Sequence, residues 1–332
     1  MAEGGEERAI GIDIGGSRAR IALVEAQGVV EERFIATGSE RPAESVADDV
    51  VVAVRALIDA SGLDVLPIGA GIAGQIDPTN GRVIKAPNLG WTDFGLGEHL
   101  AAGLGRPVTV LNDVQAAAIG EWLYGAGRGT SDMIAVFVGT GVGGGIISGG
   151  QLVRGCGGNA GEIGHTVVDR EGPLCACGSR GCVEAYSGGR ALARRARRMA
   201  GARPDRAPRL LELAEGKPET ITTAMIAQAA EAGDVLALRL IHDAADALGA
   251  GLASLLNTLN PCIVVLGGGV LMGAPRMASL VEASARARAL AAPSEAVRFE
   301  RAELEPFAGA IGAAAWARSG ASGAEARATE RI

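Results

Sequence analysis

The stretch MIAVFVGTGVGGGIISGGQLVR, Met133–Arg154, decides between two folds. Gly139, Gly141 and Gly144 fit G-x-G-x-x-G after an apolar run, and Glu162 lies about twenty residues on, as in a dinucleotide-binding unit. That fingerprint needs the glycine loop to open a helix. Here the loop is followed by β-branched Ile146 and Ile147, and then by a second turn at Gly149–Gly150. The stretch therefore reads as strand Met133–Val138, glycine turn Gly139–Gly145, strand Ile146–Ser148, turn, and strand Gln151–Arg154.

The chain opens with the same order of elements. Strand Ala9–Asp13 meets the Gly15–Gly16 turn, Ala19–Glu25 returns, and Val29–Thr37 follows a turn at Gln27–Gly28. Apolar residues at helical spacing then predict a helix over Ala43–Ser61. Ile68–Ile72 and Val108–Asn112 read as buried parallel strands, with a helix over Val114–Tyr124. In the second series, Ala191–Ala200, Thr222–Glu231 and Val235–Leu256 read as helices and Cys262–Leu266 as a strand ending in Gly267–Gly269. Ala308–Ala317 is a small-residue helix. Two halves, each a hairpin followed by β/α units, predict a duplicated α/β architecture with a ligand cleft between them. The expected division is 8–120 with 305–318 as a smaller domain and 121–304 as a larger one. Residues 319–332 are read as a frayed tail.

Composition narrows the function. The 332 residues are 48% hydrophobic, enough for a large core, and the net charge of −7 argues against nucleic acid or an anionic membrane as partner. No apolar run is long enough to span a bilayer, and Met1–Arg8 is too polar for a signal peptide. Five cysteines without an export signal point to a reducing, cytoplasmic setting.

Two glycine turns are candidate phosphate cradles, because glycine lets successive backbone N–H groups face an anion. The first runs through Asp13, Gly15, Gly16 and Ser17, the second through Thr140 and Gly141; Ser17 and Thr140 add hydroxyls, and Asp13 would hold Mg²⁺ through water. Plain hairpin turns are the alternative for either loop. Gly267, Gly268 and Gly269 stand where an open α/β sheet receives an adenosine. Asn112 and Asp113 end a buried strand and start a helix, so Asp113 is either the helix cap or a general base for phosphoryl transfer.

Three of the five cysteines sit within eight positions, in the pattern H-x9-C-x-C-G-x-x-G-C. His165, Cys175, Cys177 and Cys182 form a closed ligand set for a structural Zn²⁺, whereas a disulfide would leave one thiol odd. Cys156 and Cys262 stand apart and read as packed small residues. Folding around zinc would carry Glu162, Glu184 and the far face of His165 toward one spot, suited to the vicinal hydroxyls of a sugar. Surface solvation is the alternative for the two glutamates.

These motifs together resemble the ROK family (repressors, open reading frames and sugar kinases), and within it the bacterial glucokinases. The resemblance runs from about Ile10 to Ala317 and rests on IGIDIGGSRA, PNLGW at Pro87–Trp91, LNDVQAAAIGE, VGTGVGGG, NAGEIGH and CACGSRGCVEAY. It implies an actin-like, hexokinase-like ATPase fold of two α/β domains, and transfer of phosphate from ATP to a hexose with Mg²⁺. It implies Asp113 as base, with Asn112, Glu162, His165 and Glu184 at sugar-binding positions, and Gly74 and Asn88 beside them. Asp13–Ser17 and Thr140–Gly141 would contact phosphates, Gly267–Gly269 the adenosine, and a homodimer would be the usual assembly. Ser17–Arg18 replaces the more usual Thr-Lys; the hydroxyl and the charge are kept, so Arg18 joins the phosphate contacts. Repressor members carry an additional N-terminal helix-turn-helix, for which a first strand near Ala9 leaves no room. Relatives that use polyphosphate lack the cysteine cluster. A kinase for N-acetylmannosamine, N-acetylglucosamine, mannose, fructose or allose is the rival enzyme, and a sugar-responsive regulator the rival class.

Overall fold

Strand alternation and helical spacing build two five-stranded sheets in a computed structural model that describes residues 8–26, 28–63 and 66–320. In the first series β1 is Arg8–Ile14, β2 Arg18–Glu25, β3 Gly28–Ala36, α1 Ala43–Ser61, β4 Ile68–Ile72, β5 Gln75–Asp77, β6 Arg82–Ala86, β7 Trp91–Phe94, α2 Leu96–Leu104, β8 Thr109–Asn112 and α3 Asp113–Tyr124. The second runs β9 Met133–Val138, β10 Val142–Ser148, β11 Gln151–Leu152, α4 Val183–Ser187, α5 Gly189–Ala202, α6 Pro208–Leu213, α7 Thr223–Glu231, α8 Val235–Leu259, β12 Ile263–Gly267, α9 Gly269–Gly273, α10 Pro275–Arg288, α11 Ala291–Ala296 and β13 Arg298–Arg301; α12, Ala308–Arg318, closes the chain's ordered elements. One sheet has the order β3-β2-β1-β4-β8 and the other β11-β10-β9-β12-β13. With strands numbered in chain order within each sheet alone, each order is third, second, first, fourth, fifth. The duplication read from the order of elements is therefore present in the hydrogen bonding. This mixed α/β arrangement is the actin-like ATPase fold.

The described residues divide into two compact units. Their positions within 8–134, 145–161 and 302–320 make the first, and Ala135–Gly144 with Glu162–Arg301 the second. The first thus includes 121–134 and 145–161, which were expected in the larger domain. Helix α3 cannot be cut at 120, because it continues to Tyr124 and packs along α12. The expected tail lies outside the described residues from position 321 on.

In the first unit β1 pairs antiparallel with β2 and parallel with β4, in the register Asp13↔Arg20 and Ile12↔Ala70. Ile10, Ile12, Ile14, Val50, Val54, Leu57, Ile68 and Ile72 form one buried cluster. Each such side chain contributes roughly 1.5–3 kcal/mol by leaving water. Helix α12 lies against β1, β4 and α3 with almost no side-chain spacing. A Cβ on Gly11 would meet the Ala310 carbonyl oxygen, and one on Gly69 that of Ala313. Only glycine facing alanine permits backbone-to-backbone packing of this kind.

Two features differ from expectation. β10 begins at Val142, so the strand takes in three glycines that were expected in the turn, and the turn shrinks to Gly139–Gly141. A Cβ on Gly145 would stand 2.3 Å from Ala118 Cβ, so glycine is there for close packing within a strand. The antiparallel sheet β5-β6-β7 and helices α2 and α10 were not anticipated. Among the described residues, no helix is long and apolar enough to cross a membrane.

Candidate active site

The first unit holds nine of the predicted positions: Asp13, Gly15, Gly16, Ser17, Arg18, Gly74, Asn88, Asn112 and Asp113. The Gly15–Gly16 turn joins β1 to β2 and is closed by the Gly15 N–H donating to the Arg18 carbonyl at 3.0 Å. Thr37 braces it, its hydroxyl donating to the Gly15 carbonyl at 2.7 Å. A Cβ on Gly16 would stand 2.9 Å from Asn88 Cβ, so glycine lets the β6–β7 turn approach the hairpin. Asp13 ends β1 largely buried, its side chain 17% exposed and 3.6 Å from Arg20. Gly309 lies against the same carboxylate. Arg18 is drawn to β3, where its guanidinium lies over the Phe34 ring.

At the end of β8 the capping role falls to Asn112 and not to Asp113. Asn112 Oδ1 accepts from the N–H groups of Val114 at 2.9 Å and Gln115 at 3.1 Å, and its Nδ2 donates to the Gly74 carbonyl at 3.2 Å. Both acceptor lone pairs are spent, leaving one amide hydrogen for any other partner. Asp113 is the first helical residue of α3 and is half-buried. A Cβ on Gly74 would collide with Ala86 and the Lys85 carbonyl, so strand β6 runs directly behind this corner.

The second unit holds the other predicted positions. Glu184, in the first turn of α4, accepts from the Val142 N–H at 3.0 Å. A Cβ on Gly141 would sit 2.4 Å from the same carboxylate oxygen, so only glycine at 141 lets Glu184 reach the Thr140–Gly141 turn. That turn is also fixed from α5, where the Gly189 and Arg190 N–H groups donate to the carbonyls of Gly139 and Thr140. Gly268, at φ 91°, lies against the Val138 backbone, bringing the Gly267–Gly269 corner to the end of β9. Glu162 and His165 flank a single 3-10 turn, with His165 Nε2 4.0 Å from Glu162 Oε2. Burial raises the Glu162 carboxyl above its ordinary range; His165 opposes the rise and Glu184 adds to it.

His165 Nδ1 faces the opposite way, 3.8 Å from Cys175 Sγ. Cys177 and Cys182 have their sulfurs 3.7 Å apart, and all four donor atoms lie within 4.8 Å of one another. Zn–S bonds of about 2.3 Å and a Zn–N bond of about 2.0 Å require tetrahedral edges of about 3.8 and 3.6 Å. The four donors fit that ion, and the sulfur separation excludes a disulfide. Burial pushes the Cys182 thiol up to about 12, while the Ser179 backbone amide holds Cys177 down to about 7. A metal must therefore displace protons to bind, and its affinity falls as pH falls. Cys156 and Cys262, expected to be packed, are exposed: one on the glycine loop before Asn159, the other just ahead of β12.

The ROK family's sequence profile matches residues 9–319. The chain belongs to the ROK family. It is 38% identical over 263 residues to a glucokinase of Streptomyces coelicolor, covering 79% of this chain and 81% of the relative. A ROK family glucokinase from Streptomyces griseus, solved with glucose and AMPPNP, superimposes with a TM-score of 0.82 at 37% identity, covering 94% of this chain and all of that one. A putative xylose repressor of Caldicellulosiruptor is 32% identical over 264 residues, 78% of this chain and 65% of the repressor.

Some residues in contact with these positions were absent from the expected set. Arg20 was recoverable, since a hairpin centred on Gly15–Gly16 places it opposite Asp13. Thr37 and Gly309 carry no local signal and acquire roles only through tertiary neighbours.

Asp13 gives a pH prediction with a definite sign. Burial raises its pKa from 3.8 to about 6, against the pull of Arg20. The folded state then holds this proton more tightly than the unfolded chain, so the contribution to stability is full below about pH 4 and lost as pH rises through about 6. Above that, the buried charge costs about 2–3 kcal/mol. Asp13→Asn should raise the urea midpoint at pH 8, with the gain vanishing at pH 4. Equal or lower stability of the variant at pH 8 would contradict the burial argument.

Proposed function

We propose that this chain is an ATP-dependent hexose kinase acting on glucose, with Asp113 as general base. The observation that supports the reading is the placement of a carboxylate at the end of a buried strand: Asn112 ends β8 and caps α3, and Asp113 is the first residue of that helix. In the proposed reaction the 6-hydroxyl gives its proton to Asp113 as O6 bonds to the γ-phosphorus. The bond from that phosphorus to the β–γ bridging oxygen breaks, and its electron pair leaves with ADP.

Glu162, Glu184, the Nε2 face of His165, Asn88, Gly74 and the remaining Asn112 hydrogen would orient the sugar hydroxyls. The Gly15–Gly16 and Thr140–Gly141 turns would direct N–H groups at the phosphates, and Gly267–Gly269 would receive the adenosine. Mg²⁺ arriving with the nucleotide neutralises phosphate charge, and Asp13 would be the residue that holds it. The zinc set would be structural, since four protein ligands leave no open position. A homodimer in the cytoplasm is the proposed setting.

The similarity to a xylose repressor supports a second reading, a sugar-responsive regulator. A coupled ADP-release assay over glucose, mannose, fructose, allose, N-acetylglucosamine and N-acetylmannosamine separates the cases. The highest kcat/KM is expected with glucose. A higher value for another sugar would move the assignment to that kinase. No turnover with any of them, with retarded genomic DNA fragments in a gel-shift assay, would favour the regulator.

A further inference from the structure

Two residues after Asp113, Gln115 is buried to 2% exposure on α3 and takes no part in the site described above. Its Nε2 donates to two carbonyls, those of Gly158 and Ala160, both at 3.0 Å. The two amide hydrogens are thereby committed to one short segment. That segment is also held from the other side. Asn159 Nδ2 donates to the Ile76 carbonyl and its Oδ1 accepts from the Ile76 N–H, both at 3.4 Å, which ties it to β5. Gly158, at φ 75°, rests on Pro78, where a Cβ would come within 2.5 Å of the proline ring. Residues 157–160 are therefore clamped between α3 and β5, inside the first unit.

Two residues beyond Ala160 comes Glu162. Two peptide units span about 7 Å at most. Fixing the Ala160 carbonyl therefore leaves only a short free tether leading to Glu162. Packing alone does not call for this residue. An apolar side chain of the same size would fill the position, whereas glutamine supplies two donors to two carbonyls that would otherwise lack them.

We infer that Gln115 is a positioning residue for hexose binding, setting the Gly157–Ala160 segment so that Glu162 meets the sugar. The inference rests on the proposed reading of Glu162 as a hexose ligand. Gln115→Met keeps the volume and removes both donors. It should raise the glucose KM about tenfold or more, leaving ATP KM and zinc content within about twofold of wild type; a general loss of structure would move all three. Glu162→Gln alone should also raise the glucose KM, and adding Gln115→Met to it should produce little further rise. Should Gln115→Met fail to fold, Asn159→Ala frees the same segment from the β5 side and must give the same KM signature. A silent Glu162→Gln would overturn the sugar-ligand reading and this inference with it. An effective Glu162→Gln beside a silent or independently multiplying Gln115→Met would overturn the role of Gln115 alone.

Discussion

Replacing Asp113 by asparagine is expected to lower kcat for hexose phosphorylation by about a thousandfold, within the range that a positioned general base supplies. The substitution is close to isosteric and can still hydrogen-bond the hydroxyl, but it cannot take the proton. The cap of α3 is expected to survive, because it lies on Asn112, whose bonds to Val114, Gln115 and Gly74 do not pass through residue 113. Glucose affinity, read by calorimetry, should stay within about threefold and the melting temperature within about 3 °C. A kcat within tenfold of wild type would remove Asp113 as base. Loss of sugar affinity in proportion to kcat would recast it as a binding residue.

Replacing Cys182 by serine is expected to act through shape. Cys182 is fully buried and supplies the residue that precedes α4, and Glu184 sits in the first turn of that helix. Without the metal the loop 165–182 loses its only set of convergent soft ligands among the described residues. Zinc content should fall from one ion per chain to none. Taking the local loss as about 3 kcal/mol, well below the value for an isolated zinc finger because the second unit has its own core, the melting temperature should drop by about 6–12 °C. The glucose KM should rise by more than tenfold, since both Glu162 and Glu184 are attached to the knot. Stoichiometric chelation of the wild type should reproduce the effect, and added zinc should reverse it only in the wild type. Purified wild-type protein free of zinc would defeat the argument at its base.

What the sequence made legible follows from how locally each feature is determined. Ala43–Ser61 was read to its ends because Val46, Val50, Val54 and Leu57 recur on one face and Gly62 closes the helix in the left-handed region. Ile68–Ile72 and Met133–Val138 were as clear, being short apolar runs between breakers. The β5-β6-β7 sheet was not, because its strands are three to five residues long and interleave charged with apolar positions. Helix α10 was missed because its buried face is only Met277, Ala278, Val281 and Ala285 among arginines and serines. The zinc ligands declared themselves through rarity, three thiols and an imidazole close together. Gln115 is an ordinary residue in an alanine-rich helix, and its meaning depends on a segment some forty residues away meeting that helix in space.

The docking of α12 bears on how the molecule is made. The sheet formed from the first hundred residues receives a helix that begins at Ala308, fitted so closely that Gly11 and Gly69 touch its carbonyls. At ribosomal rates of about 5–20 residues per second, roughly 200 residues of further translation separate β8, the last strand of that sheet, from α12, or some 10–40 seconds. Throughout that interval the apolar face that α12 covers in the folded chain has no helix to cover it.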